Sequence, residues 1–214
     1  MAISLPKIYP ILDTSFIPAT GRAEFLRRLG GSLAAAGVTL LEYRNKTGGE
    51  AELLEDAEIL RATLPAGQVK LILDDRADLV EQVGFDGAHV DAGDLPPTEA
   101  RRLLGPDRIV GTFGGGASGF NPGILATPAD YFSIGPVFAT RTKQTSSALI
   151  GMDGIRRLRE EAGAGPALVA ISGITLATAA EALLAGATVV AIAGALFRQT
   201  EPAAEFRRWL RELE

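Results

Sequence analysis

The sequence predicts a single (β/α)8 barrel spanning residues 1–214, and three observations carry that prediction. Short runs rich in Val, Ile and Leu recur eight times along the chain. They are near-continuously apolar, as parallel strands covered on both faces are. Amphipathic stretches of helical period lie between them, so the chain reads strand, helix, strand, helix. No linker or shift of composition divides it. An open doubly wound sheet is the alternative, but eight units close a barrel with no element to spare.

In order, the strands are expected at 8–12, 39–43, 70–73, 87–90, 108–112, 131–134, 167–171 and 188–191. Helices are expected at 22–36, 50–64, 76–83, 97–104, 154–161, 176–185 and 202–213. After the fifth strand, 119–126 is glycine-rich and gives the weakest helical pattern. Arg156, Arg157 and Arg159 cluster among glutamates on a predicted helix, which reads as a solvated face.

Composition narrows the function. Hydrophobic residues make up 47% of the chain, as in a globular protein. Cysteine is absent, which excludes disulfides and thiolate chemistry and fits a reducing, cytoplasmic setting. Residues 1–10 lack the basic and apolar regions of a signal peptide, and the apolar stretch 187–197 is too short to span a bilayer. With net charge −5, scattered cations and 6% aromatics, nothing suggests a nucleic-acid partner. Oligomeric state is open, a homo-oligomer included.

In a barrel, the active site gathers polar residues from the C-terminal strand ends. The second strand exits into Glu42-Tyr43-Arg44-Asn45-Lys46, where alternation puts Glu42, Arg44 and Lys46 on one side. Two cations so placed can clamp an anion. The third exits into Asp74-Asp75-Arg76; paired carboxylates there are solvated, ion-paired or metal-bound, or Asp75 caps a helix. After the fourth, Asp94 can join Asp75 around Mg2+, which takes few carboxylates and completes its shell with phosphate oxygens. His89, the only histidine, lies within an apolar strand, where a hydrogen-bonded core role competes with a chemical one. The sixth exits through Gly135-Pro136 into Thr140, Thr142 and Lys143, two hydroxyls and a charge suited to phosphate oxygens. Ser172-Gly173 and Gly194 follow the seventh and eighth, where many barrels bind phosphate through loop amides.

These segments resemble the thiamin phosphate synthase family and its tautomerase relatives over about residues 8–197. The family's Gln-Leu-Arg-(Glu/Asp)-Lys aligns with 42–46, Ile-Asn-Asp-Arg with 73–76, and Gly-Val-His-Leu-Gly-Gln-x-Asp with 87–94. Gly-Pro-Val-Phe-x-Thr-x-Thr-Lys is fully retained at 135–143 and is the most specific match, and Ile-Gly-Gly-Ile aligns with 171–174. The resemblance implies a transferase that joins a hydroxymethylpyrimidine diphosphate to a hydroxyethylthiazole phosphate and releases diphosphate. By match, Arg44, Lys46 and Lys143 hold diphosphate, Asp75 and Asp94 bind Mg2+, and Thr140, Thr142 and the Gly173 backbone hold the thiazole phosphate. The chain departs from the pattern at five places. Glu42 replaces glutamine, Asp74 replaces asparagine, Ser172 replaces a glycine and Gly194 replaces a serine. Phe113 stands where a serine lines the pyrimidine pocket. Glu42 must therefore pair, turn away or meet an amino group. A tautomerase-like enzyme is a competing reading, although the histidine that subgroup carries after the fifth strand is replaced by Phe113-Gly114-Gly115-Gly116. A non-catalytic phosphate-ligand sensor on the same barrel is another.

Overall fold

The structure, a computed structural model, describes residues 4–91, 93–140 and 146–213. Strands β1 (Ile8–Asp13), β2 (Leu40–Arg44), β3 (Lys70–Asp74), β4 (Gly87–Val90) and β5 (Ile109–Gly116) are followed by β6 (Gly119–Phe120), β7 (Tyr131–Ile134), β8 (Ala167–Ala170) and β9 (Val189–Ile192). They pair in the order β4-β3-β2-β1-β9-β8-β7-β5-β6, and the β4–β5 pairing closes the sheet. Every pairing is parallel except that of β5 with β6. Removing β6 leaves the eight-stranded barrel that the apolar runs predicted.

Helices α1 (Arg22–Ala35), α2 (Glu50–Thr63), α3 (Val80–Val83), α4 (Pro97–Leu104), α5 (Gly151–Ala162), α6 (Leu176–Leu184), α7 (Gly194–Phe197) and α8 (Pro202–Leu213) complete the fold. No helix among the described residues is long and apolar enough to cross a membrane. No helix follows β5. Segment 119–126 instead forms an antiparallel hairpin strand and a 3-10 turn, Ile124–Ala126. The cause is local. A Cβ at Gly115 would lie 2.4 Å from the Gly119 carbonyl oxygen, so only glycine permits this return of the chain. Helix α7 is an addition to the expected elements; four residues give too short a pattern to read.

Strand alternation explains the continuous apolar runs. One face points into the barrel, where Tyr9, Leu40, Ile72, Ile109, Tyr131, Val169, Val189 and Ala191 pack together. The other face, with Leu12, Leu41, Leu73, Val90, Leu168 and Val190, packs beneath the helices. Both faces are therefore dry. Gly111 makes room in the interior: a Cβ there would sit 1.9 Å from Cζ of Tyr131.

The strands' N-terminal ends are tied by one device used three times. Asp86, Asp130 and Thr188 each stand just before a strand and accept the main-chain N–H of Leu71, Val110 and Leu168, respectively. An arginine from the helix preceding the N–H-donating strand donates to each: Arg61 of α2 to Asp86, Arg101 of α4 to Asp130 and Arg159 of α5 to Thr188. These arginines also donate to loop carbonyls, including Val69, Arg108 and Pro166. Arg159 is thus structural rather than part of a solvated face, and Arg157 donates to the Gly116 and Ala117 carbonyls of the β5–β6 hairpin. Arg156 and Arg157 are both exposed, as expected of a solvated face, Arg156 being paired with Asp153 on its own helix. Such ties belong to the face of a barrel that serves stability.

Candidate active site

At the opposite end, the strand tips enclose a cavity of about 320 Å3. Its wall is drawn from the inward positions of the strands: Tyr9, Ile11 and Asp13 from β1, Glu42 and Arg44 from β2, Asp74 from β3, and Tyr131 and Ser133 from β7. Ser172, Gly173, Gly194 and Thr140 form the mouth.

The floor is a hydrogen-bonded chain. Tyr9 donates its hydroxyl to Glu42 Oε2 at 2.8 Å. Its oxygen lies 2.9 Å from the Tyr131 hydroxyl, which is 3.1 Å from His89 Nδ1. His89 Nε2 lies 3.2 Å from Asp91 Oδ1. The rings are fixed as well, Tyr9 edge-on to Tyr131 and His89 stacked on Tyr131. Burial pushes the Glu42 carboxyl above its usual range, opposed by His89 and the Tyr9 hydrogen bond. Burial alone would lower His89, but Asp91, Glu42 and Asp74 outweigh it and bring the imidazole to about 9. His89 is therefore both a buried, hydrogen-bonded strand residue and part of the cavity wall. The Glu42 carboxyl accepts a hydrogen bond from the neutral Tyr9 hydroxyl.

Above the floor runs a belt of opposed charges. Arg44 bridges Asp13 and, at 3.3 Å, Asp74. Lys46 contacts Asp75 and lies 3.3 Å from Asp74. Burial first, then Glu42, raises Asp74 to about 7. Asp13 is held below the usual carboxylate range: burial pushes it up, but Ser15 and Arg44 pull it further down. Asp94 accepts the Asp91 N–H at 2.8 Å, and burial together with nearby Asp75 raises its carboxyl.

A metal fit can be tested on this belt. Asp75 Oδ1 and Asp74 Oδ2 are buried and receive no hydrogen bond from the described residues. Among those residues no cluster of three or more metal-holding side chains forms. Two adjoining carboxylates, Asp75 and Asp94, with an oxygen left without a donor, suit a hard cation that takes its other ligands from phosphate and water.

The mouth is shaped by backbone. Gly173 has φ +70°, and a Cβ there would lie 2.6 Å from the Ala139 carbonyl oxygen, so only glycine lets the loops after β7 and β8 meet. Ser172 has φ +73° and Asp75 φ +65°, both in the left-handed region. That conformation costs a non-glycine residue about 1–2 kcal/mol, less for aspartate. Ser172→Gly is therefore expected to stabilise the fold by roughly 0.5–1 kcal/mol after the greater entropy of the unfolded glycine chain is counted. Urea unfolding checks this, and an unchanged or lowered midpoint would refute it.

The structure gathers Glu42, Arg44, Asp74, Thr140, Ser172, Gly173 and Gly194 around one cavity, with Lys46, Asp75 and Asp94 at its β2–β4 rim. Phe113 is half-buried on β5 but is not part of the cavity wall. A register shift between Phe113 and Gly115, where the hairpin begins, sets this stretch apart. Thr142 and Lys143 lie outside the described residues. The wall residues that the sequence reading did not pick out include Asp13, Tyr9, Tyr131 and Arg198. Asp13 was within reach, since it ends the first apolar run just as Asp74 ends the third.

Known proteins resemble this chain in sequence and in fold. A family model described as thiamine monophosphate synthase matches residues 8–196. The chain is 39% identical over 209 residues to a thiamine-phosphate synthase of Koribacter versatilis, covering 95% of each chain. It is 33% identical over 204 residues to one of Chloroflexus aurantiacus, covering 94% of this chain and 90% of the relative. Its fold is similar to that of a thiamine phosphate pyrophosphorylase from Pyrococcus furiosus, with TM-score 0.75, 24% identity and coverage of 97% and 95%. A match across nearly every barrel unit, with full-length relatives above 30% identity, shows that this chain belongs to the thiamine monophosphate synthase family.

Proposed function

We propose that this transferase joins hydroxymethylpyrimidine diphosphate to hydroxyethylthiazole phosphate in a Mg2+-dependent reaction, forming thiamin phosphate and releasing diphosphate. The observation that carries the reading is one cavity with two unlike poles. A cation–carboxylate belt lies on β2–β4, and a glycine-containing loop pair lies after β8 and β9. The bond between the pyrimidine methylene carbon and the diphosphate oxygen breaks, its electron pair leaving with diphosphate. The thiazole nitrogen lone pair forms the new carbon–nitrogen bond. No proton moves in that step, so no general base is required of His89.

Arg44, Lys46 and Lys143 hold the diphosphate, and Arg44 and Lys46 are already oriented by Asp13, Asp74 and Asp75. Preorganised cations favour the charge that develops on the leaving group. Bound at Asp75 and Asp94, Mg2+ would neutralise part of the same charge. Glu42, an acceptor on the floor, meets the pyrimidine amino group. Thr140, Thr142 and the Gly173 backbone hold the thiazole phosphate and set its nitrogen for attack. The absence of cysteine supports a reducing, cytoplasmic setting.

An assay of diphosphate release with both precursors, with and without chelator, tests the reading. Release that needs both precursors and Mg2+ is expected. Calorimetric binding of the thiazole phosphate without release would turn the assignment toward a sensor.

A further inference from the structure

Arg198 follows α7 directly, four residues beyond Gly194, and lines the cavity beside Ser172, Gly173, Gly194 and Ala195. Its guanidinium carbon lies 5.3 Å from the centre of the Phe16 ring, which is itself stacked on Phe197. The guanidinium lies over the Phe16 ring, a contact that uses none of its N–H donors. The other arginine of the wall, Arg44, is neutralised by Asp13 and Asp74. Among the described residues no carboxylate pairs with Arg198.

The distribution of charge in the wall gives this cation a direction. All its carboxylates, Asp13, Glu42, Asp74 and Asp91, come from the β1–β4 side. The β8–β9 side presents small residues, backbone and Arg198. An anion there meets one unneutralised positive charge, and Asp13, the wall carboxylate on the adjoining β1, is already paired with Arg44. Gly194 supplies no side-chain donor, and Arg198, from the same short segment, supplies several.

We propose that Arg198 binds the phosphate monoester of the second substrate, acting with the Ser172-Gly173 loop and held on the Phe16–Phe197 platform. This rests on the reading of that loop as the phosphate end of the cavity. Arg198→Met keeps the apolar stem over Phe16 and removes the charge. It is expected to raise KM for the thiazole phosphate about tenfold, as loss of a charge-assisted hydrogen bond does, with a much smaller rise for the pyrimidine diphosphate. Arg198→Lys should fall between the two. With the phosphate-free thiazole alcohol, wild type and Arg198→Met should perform alike. Phe16→Leu, which removes the platform and leaves the arginine, should raise KM for the thiazole phosphate about threefold by loosening it. An equal KM in wild type and Arg198→Met, or an equal penalty with the alcohol, would overturn the proposal. If the wild type shows no turnover at all, the synthase reading fails separately. Calorimetry of the thiazole phosphate then decides on Arg198: about tenfold weaker binding to Arg198→Met supports the assignment, and equal affinity refutes it.

Discussion

Asp75→Asn is expected to lower Mg2+-dependent diphosphate release by about two to three orders of magnitude, the range seen when one electrostatic contact to a developing charge is lost. Asparagine is the appropriate substitution because Asp75 has φ +65°, which asparagine tolerates at less cost than alanine. The variant keeps the shape of the side chain and removes the charge that faces Lys46 and adjoins Asp94. Asp75 is not part of the cavity wall near the glycine loops, so calorimetric binding of the thiazole phosphate should persist. Turnover equal to wild type across a Mg2+ titration would remove Asp75 from the metal assignment. Asp75→Ala would show the same loss with a backbone penalty added, and comparing the two separates charge from strain.

The second large effect lies in the fold. Asp56 is 1% exposed on α2 and accepts from Arg22 Nε at 2.8 Å, from Arg22 Nη2, and from the Tyr43 hydroxyl at 2.5 Å. It thereby ties α1, β2 and α2 at one point. Asp56→Ala leaves the Arg22 charge and the Tyr43 hydroxyl without this partner in a mostly dry layer. Breaking a buried pair this way costs about 3–5 kcal/mol; Arg22 retains some solvent and Glu52 at 3.1 Å, which puts the expectation near the lower figure. For a chain of this length that corresponds to a fall in Tm of roughly 6–12 °C. A calorimetric scan that found a shift under about 2 °C would show the pair to be dispensable.

The barrel was legible because both faces of its strands are dry, and that condition writes itself into the sequence as uninterrupted Val, Ile and Leu. The strands at 87–90 and 131–134 have the predicted bounds, and the others differ by a few residues at their ends. The hairpin after β5 was not legible as such, because its cause is a close backbone approach between Gly115 and Gly119 rather than a pattern of side-chain polarity. The site was legible where chemistry sits at a strand end, as with Glu42, Arg44, Asp74 and Asp75. It was illegible where the working group arises from contacts between distant segments. Tyr9 and Tyr131 look like core aromatics until their hydroxyls are seen to meet, 122 positions apart in the chain. Arg198 looks like a helix-end arginine until Phe16 is placed beneath it. The three arginine ties at the barrel's other end escaped for the same reason. The repeat is one of geometry, with a threonine in place of aspartate in its third instance.

Gly111 and Tyr131 occupy one space between them. Any side chain at 111 needs the volume that the Tyr131 ring fills, and that ring carries the hydroxyl joining Tyr9 to His89. The two positions therefore constrain each other. Alanine at 111 requires the Tyr131 ring to move or be cut back, and either change disturbs the polar chain on the cavity floor. Drift at this pair is closed from both directions, one by collision and the other by loss of the floor.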